Sequence, residues 1–153
     1  MSLVLNLTKP GEAGEKISLN LTKGEQFTAV IEWSGDVDLD SHALLCINRG
    51  QGGKVAGLED ILSTYNIKRK IRGQEVGILV PEADGSFSIH NGALTHTADV
   101  TGGNDQKEVI IINPAKLPET ETFEIPLLAM IHPQHGDSKF QDVPTASVYI
   151  LDS

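Results

Sequence analysis

Three aspartates alternate with apolar residues in the segment DVDLD at positions 36–40. In an extended strand, Asp36, Asp38 and Asp40 project to one face about 7 Å apart, and the two apolar residues project to the other. Carboxylates at this spacing repel one another by roughly 0.6 kcal/mol per pair in bulk water, and a bound divalent cation would remove that repulsion. The alternative is that the three aspartates simply form the solvent-exposed face of an amphipathic strand. Aspartate is disfavoured in strands, however, and three in alternation argue against this alternative. The pattern predicts a cation site.

A second polar segment, DVTGGNDQKE at 99–108, offers further oxygen ligands for such a site. Calcium takes about six to eight oxygen ligands in loose geometry, so one short acidic strand cannot satisfy it alone. The glycines at 102 and 103 let the backbone bend its carbonyls toward an ion. The first segment is not an EF-hand loop, because Ser41 occupies the glycine position and Ile47 the glutamate position. Oxygen donors without a cysteine cluster indicate a hard cation, Ca²⁺.

Other patterns that carry chemistry are weak in this chain. His132 and His135 flank a proline, which argues against a helix that would place both imidazoles on one metal ion. The GQGGK segment at 50–54 lacks the serine or threonine of a phosphate-binding loop, and the sequence predicts a turn there. No nucleophile elbow or distinctive Cys–His pair is present. We expect a protein that is not an enzyme.

The charge balance narrows the classes of partner. Formal net charge is -9 and the sequence pI is about 4.9, so the field of the molecule repels phosphate backbones, and we expect no nucleic-acid partner. The basic run at 68–72 has no aromatic neighbours and is typical of a solvated loop. The single Cys46 lies in an apolar run and is expected to be buried. No segment approaches the roughly 20 apolar residues of a membrane span, so a cytoplasmic location is expected, or a virion if a phage encodes the chain.

The sequence predicts that β-strands position the acidic residues. Period-two patterning extends over residues 26–47, and four successive β-branched residues at 109–112 favour a central strand. Residues 58–65 fit either helical turns or a strand. The remaining predicted strands are 5–9 and 19–23, which nearly repeat each other, a hairpin between 75–80 and 86–90, one strand over 122–131 and one over 146–151. Pro126 cannot donate to a ladder, so the strand over 122–131 is expected at an edge or a bulge. About eight short strands with little helix predict an all-β, two-layer β-sandwich, as one domain over residues 1–153.

The order of these features resembles the TerD family of tellurium-resistance proteins. The matching residues are LNLTKG at 19–24, Trp33 with DLD at 38–40, Tyr65 with Asn66, HTADVTG at 96–102, LP at 117–118, and IH at 131–132. The resemblance implies a calcium-binding β-sandwich associated with tellurite resistance and stress responses, which acts through protein partners. It also implies the calcium ligands Asp38, Asp40, Asp99 and Asp105. Asp36, added by spacing alone, and Thr101 of the matched segment complete the candidate set.

The chain departs from the family pattern in three places. Asn104 and Gln106 stand where acids are usual, so one cation site is expected rather than two. Residues 67–90 resemble an insertion that adds the basic run and an extra hairpin. The family domain continues for about two more strands, so we expect an unpaired sheet edge that is open to another chain. The alternative function is therefore a structural or decoration module of a larger assembly, such as a virion, with a weakened or lost cation site.

Overall fold

The computed structural model describes residues 2–6, 25–98 and 105–152, with the backbone alone for 2–6 and for residue 105. The described chain is mostly strand, and its helical parts are 3₁₀ turns of three residues each. The all-β prediction is confirmed. The strands are β1 (Ser2–Asn6), β2 (Phe27–Ser34), β3 (Leu39–Leu44), β4 (Cys46–Asn48), β5 (Gly53–Lys54), β6 (Ile61–Leu62), β7 (Arg69–Ile71), β8 (Gln74–Val76), β9 (Phe87–Ile89), β10 (Leu94–His96), β11 (Asp105–Ile112), β12 (Thr122–Glu124), β13 (Leu127–Ile131) and β14 (Ala146–Asp152).

One antiparallel sheet of six strands forms the first layer, in the order β1-β14-β2-β11-β10-β9. Strand β11 lies in its interior, as its β-branched run predicts, and pairs with β2 from Asp105 opposite Ser34 to Ile112 opposite Phe27. Its buried side chains alternate with half-buried or exposed ones, so only one face of β11 is fully covered. Strand β14 also lies inside the sheet, between β1 and β2, and the expected unpaired edge does not fall on this C-terminal strand.

Two small antiparallel sheets, β13-β3-β6 and β12-β4-β5, form the second layer. The chain crosses from one small sheet to the other at Pro126, which cannot donate to a ladder and separates β12 from β13. Apolar residues of both layers meet in two clusters. The larger is built around Phe27, Ala43, Leu45, Leu62, Phe87, Leu94 and Ile110, and the smaller around Ile31, Trp33, Val37, Leu39, Val143 and Val148.

A hairpin made of β7 and β8 carries the basic run, and its position differs from the sequence prediction. Arg69 pairs with Val76 and Ile71 with Gln74, across a turn at residues 72–73. The predicted hairpin between 75–80 and 86–90 is wrong. Strand β9 pairs with β10 instead, because three successive residues with positive φ at 90–92 reverse the chain directly after β9.

Other segments resolve questions that the sequence left open. Residues 58–65 contain 3₁₀ turns on either side of β6, so both helical turn and strand are present. Cys46 is buried, as its apolar neighbours predict. Asp99 and Thr101, together with residues 19–23 of the near repeat, lie outside the described residues. No helix in the described ranges is long and apolar enough to cross a membrane.

Candidate cation site

The acidic segment does not form the continuous strand that its alternation predicts. The chain turns at Gly35, where φ is +97°, and β3 begins only at Leu39. Side chains of the first layer take up the backbone carbonyls of the turn: the Gln106 amide donates to the Gly35 carbonyl at 2.7 Å, and the Trp33 indole N–H donates to that of Val37 at 2.8 Å. These bonds replace ladder bonds, so residues 35–38 run as an irregular stretch.

This bend gives the three aspartates different environments instead of one shared face. Asp36 is exposed, Asp38 is half-buried, and Asp40 is buried in β3. The prediction that all three line one strand face is wrong, because the strand starts after the first two. Asp38 and Asp40 remain neighbours at the start of β3, and they form the structural centre of the candidate site.

Tyr65 is the hydrogen-bond donor to the Asp40 side chain. The Tyr65 hydroxyl donates to Asp40 Oδ2 at 2.5 Å, and the Asp40 residue is only 2% exposed. Burial, followed by the hydrogen bond to this carboxylate, raises the pKa of Tyr65, so the hydroxyl stays protonated and remains a donor. Tyr65 is held in the 3₁₀ turn Thr64–Asn66, and Ser63, which precedes this turn, accepts the Tyr65 backbone N–H on its Oγ at 3.1 Å. Asp40 therefore has a fixed neutral partner.

Asp38 is the more exposed of the two neighbouring carboxylates. Burial raises the pKa of Asp38, and the neighbouring Asp40 carboxylate raises it further. The backbone carbonyl of Asp38 accepts the His132 N–H at 2.9 Å, and its Oδ2 accepts from the Gln134 amide at 3.3 Å. A partly desolvated carboxylate beside a second one is unfavourable when ionised. A bound cation would relieve that cost.

Glu108 is a third carboxylate of this region; it ends the predicted ligand segment at 99–108 but was not in the candidate ligand set. It projects inward from β11, is 2% exposed, and its Oε2 accepts the Ser41 backbone N–H. Its Oε1 has no hydrogen-bond partner among the described residues. Glu108 also contributes to the raised pKa of Asp38. Period-two patterning marks Glu108 as inward, on the same face as Ile110 and Ile112, and this signal identifies a buried carboxylate.

Ser41, His96 and Glu108 form a buried cluster between the two layers. Ser41 Oγ lies 3.0 Å from His96 Nε2, and Glu108 Oε2 lies 3.3 Å from the same nitrogen, while His96 Nδ1 donates to the Thr97 carbonyl at 2.6 Å. A nucleophile–base–acid triad places serine and acid on opposite ring nitrogens. Burial raises the pKa of Glu108, but the hydrogen bonds from His96 and Ser41 outweigh it and hold that pKa below its ordinary value. The cluster links the two layers and lacks triad geometry.

The start of β11 connects the candidate site to the second ligand segment. The backbone of Asp105 pairs with Ser34, two residues before Asp36, so the first residue of β11 lies beside the acidic bend. The predicted roles of Asp99, Thr101 and the Asp105 side chain stay predictions. Within the described part of the chain, no three His, Cys, Asp or Glu side chains are grouped closely enough to hold a metal ion.

The histidines near the chain's end lie beside this site. Residues Pro133–His135 form a 3₁₀ turn, as expected of a polar loop, and the His132 ring stacks on Tyr65 with centroids 6.3 Å apart. Both His132 and His135 oppose the rise in the pKa of Asp38, which places them within electrostatic range of that carboxylate. The outer face of β3 therefore combines carboxylate, phenol and imidazole groups.

Comparisons of the chain with protein-family models, curated proteins and solved structures found no match.

Proposed function

We propose that this protein is a non-enzymatic, calcium-binding β-sandwich module of the TerD type that acts through protein partners in a stress response such as tellurite resistance. The observation that carries the proposal is the pair Asp38 and Asp40. The two residues flank Leu39, the first residue of β3, and the pKa of Asp38 is raised by burial and by the Asp40 carboxylate. A divalent cation between them would offset both effects.

The candidate set extends around this pair. Glu108 adds negative charge from β11, which contributes to the raised pKa of Asp38, and the backbone of Asp105 lies in register beside the acidic bend. Asp99 and Thr101, which precede β11 in the sequence, complete the proposed ligand set. Oxygen ligands from two chain segments are what calcium requires, since one short segment supplies too few. The likeness of the sequence to TerD supports the same assignment.

A second candidate is a structural or decoration module whose cation site is weakened. Hydrogen bonds within the chain favour it: Asp40 accepts from Tyr65, and Glu108 accepts from Ser41. Carboxylates that are already satisfied gain less from a cation. The two candidates differ in one measurable property, since only the first requires that calcium stabilise the fold.

The test is the thermal unfolding of the whole chain in chelator and in calcium. Ligand at about 100 times its Kd stabilises a fold by roughly 2.7 kcal/mol, which for a domain of this size is about 5–10 °C in Tm. We expect calcium to raise Tm by that amount. Asp38→Asn should abolish the rise, because it removes a proposed calcium ligand. Asp38 is chosen because it is only half-buried, so its replacement disturbs the core less than replacement of the buried Asp40.

The matched control is Asp84→Asn, at an exposed turn where the carboxylate accepts only from Ser86. This control variant should respond to calcium like the unmodified protein. An unmodified protein that melts at the same temperature in chelator and in millimolar calcium would overturn the proposal and favour the structural module.

A further inference from the structure

The β7–β8 hairpin concentrates positive charge on an acidic molecule. Residues 67–80 hold four of the chain's 12 basic residues and one of its 21 acidic residues, so this segment carries +3 and the remainder carries −12. All residues from 68 to 75 are exposed. Lys70 and Arg72 make no hydrogen bond or ion pair with any described side chain. The hairpin is therefore a cationic projection from an anionic body.

The root of the hairpin is built into the core. The Asn66 carbonyl accepts from the backbone N–H groups of Ile78 and Leu79 at 2.9 Å each, and Leu79 is buried in the larger cluster. Gly77 has φ of +72°, and a Cβ there would lie 2.5 Å from the Ile67 carbonyl oxygen, so only glycine fits. These contacts fix the direction in which the hairpin projects. Such a rooted element is unlike a loosely solvated loop.

The tip of the hairpin holds an arginine in a strained conformation. Arg72 has φ of +49° and Gly73 has φ of +81°, which are the signs that a two-residue type I′ turn requires. Asparagine or glycine suits the first of these positions, whereas a longer side chain is strained there. Strain that persists at an exposed tip points to a role for the guanidinium itself.

Aliphatic side chains accompany the charge. Ile71 in β7 is 47% exposed, Ile78 is 46% exposed and Val80 is 70% exposed. Ile78 and Val80 are two residues apart in an extended segment, so they project from the same side. Exposed aliphatic groups beside cations are typical of a surface that contacts protein.

We propose that this hairpin docks on the acidic surface of a second copy of the chain in a head-to-tail contact. Every copy carries a hairpin segment of charge +3 and a remainder of charge −12, so two identical copies already supply the two oppositely charged surfaces of such a contact. The general repulsion between two molecules of charge −9 is screened beyond about 8 Å at physiological ionic strength, whereas the short-range attraction at the contact persists. A contact between unlike surfaces propagates into rings or filaments.

The test is sedimentation velocity of the full chain over a concentration series at low and high salt. We expect the mass to rise above the 16.4 kDa monomer with concentration, and to fall back as salt shortens the Debye length from about 10 Å to about 3 Å. The double variant Lys70→Glu with Arg72→Glu should weaken association at least tenfold. The control Lys107→Glu with Lys139→Glu makes the same charge change at exposed sites elsewhere and should associate more strongly than the hairpin variant.

A second variant separates association from folding. Arg72→Asn suits a positive φ, so its Tm should rise by roughly 2 °C, while its association should weaken. The labelled double variant keeps its acidic body and should still co-sediment with the unmodified protein. A monomer at all concentrations in low salt overturns the proposal, and so does failure of that co-sedimentation. Binding to anionic vesicles in place of self-association overturns it in favour of a membrane surface.

Discussion

The hydrogen bond from Tyr65 to Asp40 makes a quantitative prediction that joins stability to cation binding. Tyr65→Phe keeps the ring that packs between His42 and His132 and removes only the hydroxyl. A hydrogen bond to a charged group contributes about 1.5–3 kcal/mol, and the upper end applies because the buried Asp40 loses its only described donor. A loss near 3 kcal/mol corresponds to a fall in Tm of roughly 6–12 °C for a domain of this size.

Calcium should act differently on this variant and on the unmodified protein. If Asp40 is a ligand, Tyr65 competes with the cation for its carboxylate, so Tyr65→Phe should show the larger calcium-induced rise in Tm. The control is Tyr149→Phe, in the half-buried strand β14, where the hydroxyl has no described hydrogen bond to lose. The assay is thermal unfolding by circular dichroism in chelator and in calcium. If Tyr65→Phe loses no more stability in chelator than Tyr149→Phe, the reasoning about Asp40 is refuted.

Two further predictions concern pH and the hairpin root. Burial lowers the pKa of His42 below its ordinary 6.5, so the unfolded chain binds a proton that the folded chain does not, and stability should fall as pH drops below about 6.5. Urea unfolding between about pH 5 and 8 checks this, and His42→Gln should flatten the slope. Gly77→Ala should cost more than about 2 kcal/mol, since its Cβ would meet the Ile67 carbonyl, whereas Gly73→Ala, with open space around it, should cost about 1 kcal/mol. Equal losses of Tm for the two alanine variants would contradict the contact at Gly77.

The fold class follows from local chemistry that sequence patterns contain. The β-branched run at 109–112 is at its predicted place in the interior of the six-stranded sheet. Pro126 leads to edge strands as predicted, but it divides the single predicted strand over 122–131 into β12 and β13, because it has no N–H to continue the ladder. Both outcomes depend on single-residue geometry, so no long-range information was needed.

The acidic site shows where sequence patterning fails. Alternation at 36–40 predicted one strand face, but the chain turns at Gly35. A local hydrogen bond from Trp33 to Val37 and a long-range one from Gln106, 71 residues away from Gly35, stabilise this turn. The contact from Gln106 depends on the tertiary fold, so period-two patterning cannot anticipate it. Patterning marks the Glu108 side chain as inward, but it cannot identify the partner Ser41, which is 67 residues away in the chain.

The wrong prediction of a hairpin between 75–80 and 86–90 has a local cause that is visible in the sequence. Arg72 and Gly73 adopt a two-residue turn, but the prediction favoured the five-residue PEADG segment at 81–85 as the more obvious loop. An Arg-Gly pair is a weaker turn signal than Asn-Gly, because arginine is strained at positive φ. Arg72, whose positive φ was not expected from the sequence, is also a residue that we propose to contact a second copy.

The most direct test of the central claim is isothermal titration of calcium into the chelator-treated, full-length protein. We expect saturable binding with a stoichiometry near one, because the thinned acidic run favours a single site. Asp38→Asn should remove the binding signal, and Asp84→Asn should keep it. Absence of saturable heat from the unmodified protein at millimolar calcium, or equal binding by the Asp38 variant, would contradict a cation site founded on Asp38 and Asp40.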